Sequence, residues 1–164
     1  MARFVGVVLL DNCAINGAVK SGYWKALLGR GSLETVEEVA REAGSFFRKR
    51  SDQHELATGF RKVKQHAVDT LARATLAERL GRLPLDDGEQ DLWAHALGRA
   101  DQWFLCGPDV ASLKAAVLLG LADRLVSLEA LLEDVGIRPR GLSVEQTEKW
   151  LRATLSRLRA ELGT

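Results

Sequence analysis

Apolar positions run almost unbroken through FVGVVLL, residues 4–10, and stop at Asp11 and Asn12. So continuous a run predicts a strand over residues 3–10, buried on both faces with Val5, Val7, Val8, Leu9 and Leu10 inside. After it, SGYWKALLGRGS (21–32) reads as a short helix closed by glycine. TVEEVAREAGSFF carries Thr35 and Glu38 at capping-box spacing, so a helix is expected from about Val36, with Val36, Val39, Ala40, Ala43 and Phe47 on one face. Residues 53–82 repeat apolar positions at helical spacing, as two helices with Gly59 as the break. Next come a breaker, a cap at Asp87 and a helix burying Leu92, Trp93, Ala96 and Leu97. QWFLCGPD reads as a short strand ending at Asp109, and VASLKAAVLLGLADRL as a helix. LVSL reads as another short strand and SLEALLEDVG as a short helix. The chain closes on an amphipathic helix capped by Ser143 with Gln146, its stripe running through Val144, Thr147, Leu151, Leu155, Leu158 and Leu162.

Strands separated by helices pair in parallel, with helices on both faces of the sheet. The expected fold is therefore α/β: a helix-rich, three-layer α/β/α domain with a small central parallel sheet and an extra C-terminal amphipathic helix. Residues 1–140 form the domain, and 141–164 pack on it or extend it. Ligands of such sheets bind beyond the carboxyl ends of the strands, and Asp11 and Asp109 both stand there.

Composition changes this picture little. The 164 residues are 46% hydrophobic and 27% charged, as in a soluble globular domain. No apolar run approaches the ~20 residues of a membrane helix. The amino-terminal run resembles a signal peptide only faintly, lacking a cleavage region and being rich in β-branched residues. Two cysteines, Cys13 and Cys106, make no disulfide framework and fit a reducing cytoplasm. Charge is informative through its distribution. Residues 41–82 hold ten Lys/Arg against five acids, and residues 86–109 hold six acids against one arginine. A basic arm thus precedes an acidic centre.

Two carboxylates at one sheet edge repel each other and invite a cation. Mg²⁺ or Mn²⁺ prefers such oxygen donors and keeps several waters. Glu89, at the opening of a helix just after a turn, and Glu42, within an earlier helix, are placed to join Asp11 and Asp109. Asp86, Asp87 and Asp91 stand nearby as supporting acids. His54, His66 and His95 show no metal-ligand spacing with either cysteine and read as ordinary residues; Trp93 and Trp103 read as core. No phosphate-binding glycine loop, dinucleotide fingerprint or nucleophile elbow is present.

These motifs resemble the PIN domain family of metal-dependent nucleases. VVLLDNCAI is similar to the family's first strand and aspartate, VEEVAREA to its helical glutamate, DDGEQDLWAHAL to the Gly-Glu pair of one branch, and FLCGPDVASLKAA to its last acid. The resemblance spans roughly residues 3–135. It departs at Gly107, where the family carries a hydroxyl, and at Lys114, where the branch carries an arginine. It implies that Asp11, Glu42, Glu89 and Asp109 hold Mg²⁺ or Mn²⁺ and hydrolyse RNA phosphodiesters. Asn12, Asp87, Asp91 and Lys114 would support them, and Arg48, Lys49, Arg50, Arg61, Lys62 and Lys64 would meet the nucleic-acid backbone. Proteins of this kind are often toxins of toxin–antitoxin pairs or RNA-processing factors, commonly dimeric, and the toxins are held silent by a partner protein. The competing expectation is a PIN-like nucleic-acid-binding or protein-interaction module with weak or absent catalysis.

Overall fold

The computed structural model describes residues 2–164 and contains a four-stranded, all-parallel sheet in the order β3-β2-β1-β4. Its strands are β1 (Val7–Leu10), β2 (Leu33–Val36), β3 (Lys64–His66) and β4 (Trp103–Cys106). Val8, Leu9 and Leu10 have no exposed surface. Successive strand residues point to opposite faces, so both faces of β1 are covered by helices. The α/β architecture expected from the pattern is the one observed, a helix-rich parallel sheet of the three-layer kind.

Around the sheet run α1 (Asn12–Lys20), α2 (Trp24–Leu28), α3 (Glu37–Phe47), α4 (Gln53–Phe60), α5 (Thr70–Leu80), α6 (Asp87–Leu97), α7 (Val110–Leu118), α8 (Leu128–Asp134) and α9 (Glu148–Leu162). Helix α3 packs between α1 and α6, α5 lies on α6, and α9 lies on α7. Trp93 and Trp103 are core residues, meeting edge to face at 6.3 Å, and the Trp93 indole donates to Ser112 Oγ at 2.8 Å. Among the described residues no helix is long and apolar enough to cross a membrane.

The local departures have physical causes. The first strand starts at Val7 rather than residue 3, and Val5 is 68% exposed. Gly6 makes the entry turn with φ +125°, and a β-carbon there would lie 2.4 Å from the Gln102 carbonyl oxygen. Thr35 is not a helix cap. It lies in β2, where its hydroxyl donates to the Leu10 carbonyl at 2.7 Å, and α3 begins at Glu37. The break between α4 and α5 falls after Phe60 rather than at Gly59, and β3 occupies it. Asp86, not Asp87, caps α6. Leu125 makes only an isolated parallel bridge to Leu105, so LVSL is no strand.

The terminal helix also begins later than its pattern suggests. Thr147 caps α9, Val144–Gln146 form a separate 3-10 turn, and Val144 is exposed. Leu151, Leu155 and Leu158 remain buried as expected. Gln146 is buried as well: its Nε2 donates to the Cys13 carbonyl at 3.1 Å, against the side of α1 that Gly17 leaves bare.

Candidate metal centre

The carboxyl end of β1 delivers Asp11, and the parallel register that sets Leu10 beside Cys106 brings the Gly107–Asp109 turn to the same edge. Asp11 caps α1: its Oδ1 accepts from the Ala14 amide at 2.8 Å, and its own amide donates to the Cys106 carbonyl at 3.1 Å. Asp109 caps α7, accepting from the Ala111 amide at 2.8 Å. Both acids are caps in the ordinary sense, each accepting a helix amide through one oxygen.

Glu89 arrives from the first turn of α6. It forms a reciprocal capping box with Asp86: the Glu89 amide donates to Asp86 Oδ1 at 2.8 Å, and the Asp86 amide donates to Glu89 Oε2 at 3.1 Å. Glu42 comes from the middle of α3. Two glycines make the convergence possible. A β-carbon on Gly107 would sit 2.5 Å from Asp11 Oδ2, and one on Gly88 would sit 3.0 Å from both Glu42 oxygens. The glycine of the Gly-Glu pair is thus the residue that admits the carboxylate of a different helix. At Gly107, bare backbone packs directly against the Asp11 carboxylate.

One cleft of about 60 Å³ takes in Asp11, Glu42, Glu89 and Asp109 and adds Asp86, Asn12 and Cys13. That space suits an ion with a few waters and is too small for a nucleoside. Burial, helped by the charges of Asp109 and Asp86, pushes the Asp11 carboxyl up to about 7 against the opposing Ala14 amide bond. Glu89 is raised to about 8, chiefly by burial and then by Asp109 beside it. Glu42 is also raised, by burial and by Asp86 and Glu38. Cys13 is exposed as a residue, but desolvation of its thiol and the surrounding acids push it up to about 12, which removes it as a nucleophile at neutral pH. Among the described residues, none of the four acids has a lysine, arginine or histidine within 4.0 Å. The side-chain oxygen of Asn12 is buried in the same place without a hydrogen-bond partner.

Other expected residues lie elsewhere. Asp91 is turned to Arg73, with bonds of 2.6 and 2.9 Å, and so cannot support the ion. Asp87 is exposed and outside the cleft lining, where Asp86 takes its place, and Lys114 is also outside it. None of the six basic residues lines the cleft. Arg48, Lys49, Arg61, Lys62 and Lys64 are solvent-exposed, and Arg50 pairs with Asp52 at 2.9 Å. Lys62 borders a separate groove of about 460 Å³ with Trp24 and Leu28.

A second polar cluster has no counterpart in the sequence reading. Glu34 on β2, His66 on β3 and His95 on α6 bring one donor atom each within 4.8 Å of the others, so the cluster could hold a metal ion. Among the described residues it is the one His, Cys, Asp or Glu group of three or more so closely gathered; the four acids share a cleft without closing that far. His66 Nε2 donates to Glu34 Oε2 at 2.5 Å. Arg99 Nη1 lies 2.7 Å from the same oxygen and 3.0 Å from His95 Nε2. Burial alone would raise Glu34, but the bonds from His66 and Arg99 outweigh it and hold the carboxyl below its usual value. His95 is lowered to about 4 by burial, with His66 and Arg99 adding to it.

No family model, curated protein or solved structure matches this chain.

Proposed function

We propose that the chain is a PIN-like ribonuclease dependent on Mg²⁺ or Mn²⁺, with Asp11, Glu42, Glu89 and Asp109 as its ion-holding acids. One observation carries the reading: four carboxylates from four separate elements share a cleft with no cationic side chain within 4.0 Å, although two are pushed to neutral pH or above. Leaving such groups uncompensated destabilises the fold and is relieved by a bound cation. Divalent ions in an all-oxygen cleft polarise a phosphodiester and acidify water.

The chain's own residues supply position and charge. The Ala14 and Ala111 amides fix the orientation of Asp11 and Asp109. The capping box holds Glu89 through Oε2 and sets it beside Asp109. Asn12 offers a buried, unpartnered side-chain oxygen beside the acids, placed to accept from a water. RNA as substrate, a cytoplasmic setting, an antitoxin-like or other protein partner and a homodimer belong to this proposal through the PIN resemblance.

The test is incubation of purified protein with mixed RNA and Mn²⁺ beside Asp11→Asn, together with calorimetric Mn²⁺ titration of both. Cleavage and Mn²⁺ binding that disappear together in the variant support the reading; equal cleavage in both samples reports contaminating ribonuclease and sinks it. A second reading, a PIN-like binding or interaction module without turnover, draws on the open spacing of the acids and the distance of the basic residues from the cleft lining. It expects RNA or a protein to be retained with no cleavage.

A further inference from the structure

Glu34, His66 and His95 share no residue with the acid cleft and offer a different donor set. Two imidazole nitrogens with one carboxylate suit a borderline transition-metal ion and are a poor match to Mg²⁺. The three come from three elements, and the β2–β3 register that sets Val36 beside His66 brings the histidine within reach of Glu34. Their rings and carboxylate are only partly covered, with side-chain exposures of 21% for His66 and 12% for Glu34, so an ion has a way in.

The position of Arg99 is the informative detail. Its guanidinium reaches Glu34 and His95 through the single nitrogen Nη1, while Nε and Nη2 are held by Asp101 at 2.8 and 2.6 Å. Nη1 donates, so His95 Nε2 receives it with a lone pair directed into the cluster, the form in which imidazole binds metals. A positive nitrogen already stands among the three donors. Releasing Nη1 leaves the other face of the fork on Asp101, so the exchange costs a part of the Arg99 contacts rather than all of them.

We propose that Glu34, His66 and His95 form a second metal centre, for an ion of the Zn²⁺ or Co²⁺ class, in which Arg99 is the resident cation that the metal displaces. His66 then binds through Nε2 in its other neutral tautomer, with the proton on Nδ1, and Glu34 contributes Oε2. The bound ion ties the three-residue edge strand β3 to β2 and to α6, the helix that delivers Glu89 to the acid cleft. Its role is structural and does not depend on nuclease activity.

The probe is Co²⁺, titrated by calorimetry and visible absorption into the full chain carrying Asp11→Asn and Glu89→Gln, which silence the acid cleft. One equivalent is expected to bind with the visible bands of nitrogen ligation, to be lost in His66→Gln and to bind at least tenfold tighter in Arg99→Gln. Because Arg99→Gln could disturb folding, the unsubstituted chain is titrated with Zn²⁺ in parallel while its histidine side-chain NMR signals are followed. Shifts confined to His66 and His95 uphold the site. Absence of Co²⁺ binding, binding indifferent to His66→Gln, or Zn²⁺ shifts centred on His54 overturn it.

Discussion

Two carboxylate clusters on one small sheet are treated in opposite ways. Around Glu34, the fold supplies Arg99 and His66, whose bonds hold the acid in its charged form. Around Asp11 it supplies three further acids and Asp86, with no lysine, arginine or histidine within 4.0 Å among the described residues, and the carboxyl rises to about 7. The chain has 23 lysines and arginines, so the lack of a basic partner at the second cluster is not a shortage of them. The contrast separates a self-contained polar network from a set of charges arranged for something outside the chain. Without an ion, the acid cleft is expected to weaken the fold, whereas the Glu34 network supports it.

The comparison is broken most directly by activity. On the proposed nuclease reading, Asp11→Asn should abolish RNA cleavage together with Mn²⁺ binding, while Glu34→Gln, which lies outside the acid cleft, should leave both in place. A comparable loss in both would erase the distinction. Gly107→Ala comes next: a methyl 2.5 Å from Asp11 Oδ2 forces that carboxylate aside. Calorimetry should show Mn²⁺ affinity down about tenfold or more, with an overpacking cost of about 1–3 kcal/mol in denaturant melts. Gly88→Ala, with its looser 3.0 Å contacts to Glu42, should do the same more weakly.

The response to pH sharpens the contrast further. Asp11 and Glu89 are raised in the folded protein, so their contribution is fully present below the ordinary carboxylate range and is lost as pH climbs through about 7 and 8. His95 is lowered to about 4, so its contribution is present above about 6.5 and is lost as pH falls toward 4, whereas Glu34 is lowered too and its contribution is lost only below the ordinary carboxylate range. The two trends oppose each other between about pH 4 and 6.5, and only the loss from Asp11 and Glu89 continues above that. Thermal melts of EDTA-treated protein should therefore show an alkaline arm falling from about pH 6.5 through 8 beside an acid arm set by the network. Mn²⁺ should flatten the alkaline arm and leave the acid arm alone; a melt curve that falls only on the acid side would contradict the assignment of Asp11. The smallest effect is Thr147→Ala, which removes the α9 cap and should cost about 1 kcal/mol with no change in metal binding.

What the sequence made legible follows from contrast along the chain. A long apolar run that ends in an acid marks both a central strand and its functional end, and β1 with Asp11 and β4 with Asp109 were readable for that reason. Glu42 was harder, standing near Glu37 and Glu38 on one helix; the fold separates them by turning Glu38 to Arg41 at 2.5 Å and Glu42 into the cleft. LETV and KQH carry too few apolar residues to announce strands. The first was masked by the resemblance of Thr35 and Glu38 to a helix start. The second is an edge strand whose Lys64 and Gln65 face solvent. Glu34, His66 and His95 were invisible as a group, because strand register and helix packing, not spacing, bring them together. Asp86 had a signal in its position three residues before Glu89, but the cap was placed one residue late.

The seating of Gln146 beside Gly17 bears on how this protein is to be handled. A fragment trimmed after residue 140 would forfeit a plug as well as an appendage, baring the flank of the helix that begins at Asn12, next to Asp11. Crystallisation or NMR work on a shortened chain should retain the tail at least through Leu158, which is wholly buried, and bulky fusion partners belong beyond it.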